Sequence, residues 1–122
     1  MFSHPGGFSQ YQRVPADWLI KRPETLSAKD SMRYGTAGFT AALAVTELEK
    51  LALEKEAPIV ITGASGGVGS ISIALLHKLG YTNIVALSRK KEADWLLALG
   101  ATKITDPADW QPEKSNRWRS RQ

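Results

Sequence analysis

Residues 61 to 70 read ITGASGGVGS, with four glycines inside seven positions, and no other stretch of the chain restricts its folding so tightly. Glycine at that density marks a place where the backbone must reverse or let something come close. Gly66 and Gly69 fall on the second and third glycines of the pattern G-x-G-x-x-G, and Ala64 stands at the first. In that pattern a strand enters, the chain turns, and a helix leaves with its unpaired N–H groups pointing outward at an anion. The second glycine admits phosphates to the backbone, and the third lets the helix lie tightly on the strand. Ser65, Gly67 and Val68 complete the loop and are expected to line the same site, with Gly63 and Gly67 adding freedom to it. The pattern carries this meaning only with a strand before it and a helix after it.

That context is present. Ala57–Thr62, APIVIT, reads as a buried strand, and the residues after the turn read as a helix to Leu79 closed by Gly80. The unit then repeats: Asn83–Leu87 is an apolar strand, Lys91–Leu99 a helix followed by Gly100, and Thr102–Thr105 a third short strand. Helical crossovers between consecutive strands require parallel pairing. The fold class is therefore α/β, a partial Rossmann-type parallel sheet in β-α-β-α-β order, half of a doubly wound fold. Upstream, Ser27 and Asp30 have capping-box spacing for a short helix ending near Gly35, and a longer helix starts around Thr36. Ala41, Ala44, Val45, Leu48, Leu51 and Ala52 recur along it at helical spacing, with Glu47, Lys50 and Glu54 opposite. Residues 8 to 21, FSQYQRVPADWLIK, alternate around a Pro-Ala-Asp turn and predict two short strands. Residues 107 to 122 hold prolines and charges without periodicity and are expected to be irregular.

Composition removes several function classes. A chain of 122 residues, 43% of them hydrophobic and 23% charged, can bury one modest core. It has no cysteine, and its two histidines, His4 and His77, lie far apart, so disulfide frameworks and zinc sites are not expected. No apolar run approaches the roughly 20 residues that span a bilayer, and the N-terminus lacks the features of a signal peptide, so a soluble, cytoplasmic protein is expected. The net charge of +4 is gathered in Arg89–Lys91 and in 117 to 121, which favours a local anion site over nucleic-acid binding. His77, Trp95, Trp110 and Trp118 are expected to be packing or surface residues.

The end of the second strand bears on which dinucleotide fits. An acidic residue about 20 positions beyond the glycines would accept the ribose hydroxyls of NAD. Here the chain has Ser88, Arg89, Lys90 and Lys91. A hydroxyl, a guanidinium fork and an ammonium are groups that hold a 2′-phosphate, so NADPH is the expected cofactor. The other reading, solvated charges at a helix start, sits badly with the helix dipole unless an anion is near.

The segments GGFSQYQRVPADWLIKRPETLSAKDSM, YGTAGFTAAL, PIVITGASGGVGS and VALSRK resemble the zinc-free quinone oxidoreductase and acrylyl-CoA reductase branch of the medium-chain dehydrogenase/reductase superfamily. The glycine segment also fits T-G-x-x-x-G-x-G of short-chain dehydrogenases, but a long helix precedes it and the chain has no Tyr-x-x-x-Lys pair. The resemblance implies a GroES-like β domain joined to a Rossmann domain, with NADPH reducing the double bond of an α,β-unsaturated carbonyl compound such as acryloyl-CoA, or a quinone. It places Gly35–Thr40 beside the nicotinamide with Thr36 as a hydrogen-bonding residue, whereas the residues alone allow Thr36 to be an N-cap. Domains are then expected as a remnant of the GroES-like domain over 1–26, connecting helices over 27–56, the first half of the NADP-binding domain over 57–106, and a tail over 107–122. The family continues beyond both ends of this chain, so a fragment is expected, with a sheet edge free for self-association. The alternative is a nucleotide-binding or interaction fragment, or a gene remnant, without catalysis. No residue specifies the substrate.

Overall fold

The computed structural model describes residues 7 to 89 and 93 to 110. They fall in two compact units, Met1–Met32 and Arg33–Gln122. In the first, a 3-10 helix at Ala16–Trp18 follows Pro15, and there is no strand among the described residues. The two strands expected within 8 to 21 are absent. Their alternation is real, but an extended segment becomes a strand only when another strand pairs with it along a ladder, and no such ladder forms among the described residues. Phe8, Tyr11 and Ile20 are accordingly exposed.

Helix α1 spans Ala28–Glu49 and begins as its sequence predicts: the Ser27 hydroxyl accepts the Asp30 N–H at 3.1 Å and donates to its carboxylate at 2.8 Å. At Gly35 the backbone leaves helical geometry, with φ 53° and ψ −159°, a conformation that a side chain would strain. The break between a short and a longer helix thus falls at the expected residue. The longer part buries Gly38, Ala41 and Val45. It stops sooner than its apolar pattern predicts. Leu51 and Ala52 donate to Leu48 and Glu49, three residues back, and Ala52 turns to φ 49°. That tightening ends the helix and leaves Leu51 exposed, and Ala44, expected on the packed face, is exposed between the buried Ala41 and Val45.

The second unit is built on a parallel sheet of β1 (Ile59–Ile61), β2 (Ile84–Leu87) and β3 (Lys103–Thr105), in the order β1-β2-β3. Ile59 is opposite Ile84, and Ala86 opposite Ile104. Helix α2 (Gly67–Lys78) crosses from β1 to β2 and α3 (Asp94–Leu99) from β2 to β3. β1 and β2 read as short apolar runs, as strands of a covered parallel sheet do, whereas β3 is Lys103-Ile104-Thr105 with Lys103 exposed. The core gathers Ile59, Ile84 and Ala86 of the sheet with Ile73, Leu76 and Leu96 of the crossovers, Val45 of α1 and the ring of Tyr81. Thr102 ties the edge together, its hydroxyl accepting the Ile84 N–H at 3.1 Å and donating to the Thr82 carbonyl at 2.8 Å. His77 sits directly over Gly100, so the α2 and α3 ends meet where a methyl group would collide with the imidazole. Trp95 is partly exposed, and Trp118 and His4 lie outside the described residues. Among the described residues no helix is long and apolar enough to cross a membrane.

Candidate cofactor site

β1 delivers the chain to Gly63 with φ 58°, and the Ala64 N–H then donates to the Leu87 carbonyl at 3.2 Å. This bond stitches the turn to the end of β2. The Gly66 N–H closes back on the Gly63 carbonyl at 2.9 Å, and Gly66, extended at φ −79° and ψ 174°, becomes the N-cap of α2 without any side-chain cap. The Ser70 N–H makes the first bond of the helix, to the Gly66 carbonyl at 3.0 Å. The amides of Gly67, Val68 and Gly69 precede that bond, at the positive end of the helix dipole.

Sterics explain why these residues are small. A Cβ on Gly69 would collide with the Gly63 carbonyl oxygen and lie 2.8 Å from Ala64 Cα, both of them backbone atoms that no rotamer change can move. α2 therefore lies against the end of β1 only because residue 69 lacks a side chain. A Cβ on Gly67 would stand 3.3 Å from the Ala37 methyl carbon. The N-terminal part of α1's longer segment thus abuts the first turn of α2.

Two cavities open at this edge of the sheet. One, of about 460 Å³, is lined by Val60–Gly63, Gly66–Gly69 and Ser72. The other, of about 390 Å³, is lined by Gly63, Ser65, Leu87, Ser88, Arg89 and Pro107. Gly63 lines both, so the glycine turn divides them. The second cavity brings Ser65 of the turn together with Ser88 and Arg89 of the β2 end, and no carboxylate is among the described residues that line it. Ser88 is buried, its N–H bonded to the Thr105 carbonyl at 3.0 Å, while Arg89 is exposed. Ala64 is fully buried and meets the site through its backbone alone. Thr36 is exposed next to Ala37 and lines neither cavity. Lys90 lies outside the described residues. The sequence reading missed Pro107, assigned to an irregular tail. Its signal was position: it follows the carboxyl end of β3, and ligands of open α/β sheets gather at strand carboxyl ends. Among the described residues, no group of three or more acidic or histidine side chains is placed to hold a metal.

No family model matches the chain. Acrylyl-CoA reductase AcuI of Ruegeria pomeroyi is 48% identical over 103 residues, which is 84% of this chain and 31% of that protein. YhfP of Bacillus subtilis, which bears a quinone oxidoreductase name, is 45% identical over 88% of this chain and 33% of its own length. Its crystal structure with NAD bound superposes with a TM-score of 0.77, covering 85% of this chain and 32% of that one at 47% identity. The YhdH oxidoreductase of Salmonella enterica in complex with NADP gives 0.78 at 44% identity, over 87% of this chain and 33% of the other. The chain spans about a third of the length of these relatives. With its three parallel strands, its glycine turn and these identities, the chain is homologous, over that third, to the quinone oxidoreductase and acrylyl-CoA reductase proteins of the medium-chain dehydrogenase/reductase family.

Proposed function

We propose that the two cavities are a dinucleotide site that prefers NADPH, and that the chain contributes this site to reduction of an α,β-unsaturated carbonyl compound or a quinone. The carrying observation is the second cavity, where Ser65, Ser88 and Arg89 converge and no other described lining residue is charged. A hydroxyl and a guanidinium suit a 2′-phosphate, and an Asp or Glu in their place would repel it. The solved relatives carry NADP in one case and NAD in another, so the family fold accepts either and the choice rests on side chains such as these. The fit to a pyrophosphate rests on the turn itself: Gly66, Gly67 and Gly69 line the first cavity, where the amides of Gly67, Val68 and Gly69 stand at the positive end of α2.

The cofactor would supply the hydride. The chain's own part is binding and orientation. The Gly67, Val68 and Gly69 amides would hold the phosphates and Ser88 and Arg89 the 2′-phosphate, with Lys90 beside them in sequence; Thr36, which lines neither cavity, is proposed for the nicotinamide end from its place in the family pattern alone. Among the described residues Arg89 is the only ionisable group lining either cavity, so these residues position and do not move protons. Acyl-CoA or quinone as acceptor follows from the relatives' names.

The test is calorimetric titration of the full chain with 2′,5′-ADP, which has the 2′-phosphate, and with 5′-AMP, which lacks it. A charge-assisted hydrogen bond contributes about 1.5–3 kcal/mol, so 2′,5′-ADP should bind about ten- to a hundredfold more tightly. Equal affinities would remove the NADPH preference, and no binding of either would remove the dinucleotide reading.

A further inference from the structure

At the opposite end of α1 from the glycine turn, the buried ring of Tyr81 donates its O–H to Glu49 Oε1, and the Lys55 ammonium stands 3.4 Å from the same oxygen and 4.0 Å from the ring centroid. Glu49 is the last residue of α1, and Tyr81 follows the end of α2. Ala37, near the start of α1's longer segment, meets the first turn of α2 at Gly67. α1 is therefore held at two places: Ala37 meets the first turn of α2, and Glu49 meets Tyr81, three residues beyond the end of α2. What packs from α1 is Gly38, Ala41 and Val45, a face of small side chains. Such a face gives close contact but little to stop a helix from sliding along its own axis, because apolar burial is non-directional. The directional contacts are those at Glu49. Twelve residues of helix, about 18 Å, connect Glu49 to Ala37 as one stiff element.

We propose that Tyr81, Glu49 and Lys55 are positioning residues for the phosphate turn: by fixing the end of α1 they set how closely Ala37 presses on Gly67. The proposal rests on the cofactor reading of that turn for its consequence, though not for its geometry. A slide of α1 in one direction drives the Ala37 methyl into the turn, and in the other it leaves the Gly67 amide without its support. The cluster would thus tune anion affinity from a distance while touching no ligand.

The test uses Tyr81→Phe in the full chain, with Glu49→Gln as the conservative variant that still accepts the phenol O–H, and Ile84→Val as a core shortening that leaves the side chains of Tyr81, Glu49 and Lys55 unchanged. Two readouts are taken well below each variant's melting temperature: affinity for 2′,5′-ADP, and amide hydrogen exchange at Gly66–Gly69, which needs no ligand. Tyr81→Phe should weaken 2′,5′-ADP about three- to tenfold and speed exchange at the turn, whereas Glu49→Gln and Ile84→Val should stay within about twofold of the parent. Unchanged exchange at the turn in Tyr81→Phe overturns the proposal, and so does equal acceleration in Ile84→Val, which would make the cluster a stabilising contact only. If the parent chain does not bind 2′,5′-ADP but the exchange pattern appears, the positioning stands and the cofactor reading falls.

Discussion

Replacing Arg89 with Ala isolates the cofactor preference, because among the described residues Arg89 is the one cation lining the cavity at the β2 end, and it is not part of the core. The magnitude follows from its exposure. A guanidinium on a phosphate oxygen is worth about 1.5–3 kcal/mol when shielded, but solvent and salt screen an exposed pair. Arg89 is exposed, so the loss should fall at the lower end, about 1.5 kcal/mol or tenfold in the dissociation constant of 2′,5′-ADP. Because 5′-AMP has no 2′-phosphate, its affinity should change by less than about twofold. The loss should also shrink as salt is raised from about 0.05 to 0.5 M, since the Debye length contracts over that range. Ser88→Asp should act more strongly: Ser88 is buried, and a carboxylate there meets the phosphate with less water between them. Its effect on 2′,5′-ADP should exceed a hundredfold. Calorimetry with both ligands at two salt concentrations is the assay. If Arg89→Ala weakens 5′-AMP as much as 2′,5′-ADP, or if the effect ignores salt, Arg89 does not read the 2′-phosphate and is a solvated surface charge.

Gly69→Ala should destabilise the chain by about 1–3 kcal/mol or more through the clash with Gly63 and Ala64, lowering the melting temperature by about 5–20 °C, and a melt within 2 °C of the parent would show that the turn can relax. The Tyr81 hydrogen bond first, and Lys55 second, hold the Glu49 carboxyl below its ordinary 4.5, so its contribution is present above that value and lost as pH falls through the folded pKa; Glu49 in turn, with burial, raises the Tyr81 phenol above 10.0, so that contribution is present below 10.0 and lost as pH rises past it. The melting-temperature gap between parent and Tyr81→Phe should accordingly be widest between about pH 5 and 9 and narrow as the pH is lowered below 4.5 through the folded carboxyl's titration, and a gap that never narrows on acidification would show that Glu49 is not the acceptor that matters. The outer edge of β1 should promote self-association, visible as concentration-dependent elution in size-exclusion chromatography, and a Val60→Lys change on that edge strand should reduce it; an invariant monomer at every concentration would refute this.

Where the sequence was legible, the decisive interactions were local. The Ser27–Asp30 cap, the break at Gly35 and the crowding at Gly69 involve residues within about six positions of one another, and a steric or hydrogen-bonding rule with so short a span can be read from letters. The parallel order β1-β2-β3 was legible for a related reason, since a helix between consecutive strands leaves few other topologies. The misreadings share the opposite property. Residues 8 to 21 alternate as strands do, yet their fate depends on a ladder partner that the letters do not contain. The end of α1 looked apolar through Ala52, but the chain had to turn there to bring Lys55 and Tyr81 onto Glu49, a constraint set by a residue 32 positions away. Pro107 escaped for the same reason: its place beside Ser88 comes from the bond between the Ser88 N–H and the Thr105 carbonyl, which exists only once β3 has paired with β2. A strand register, once known, turns sequence-distant residues into neighbours. The candidate site could thus be found from its glycines, whereas the cavity that would choose between cofactors needed the pairing of β2 with β3.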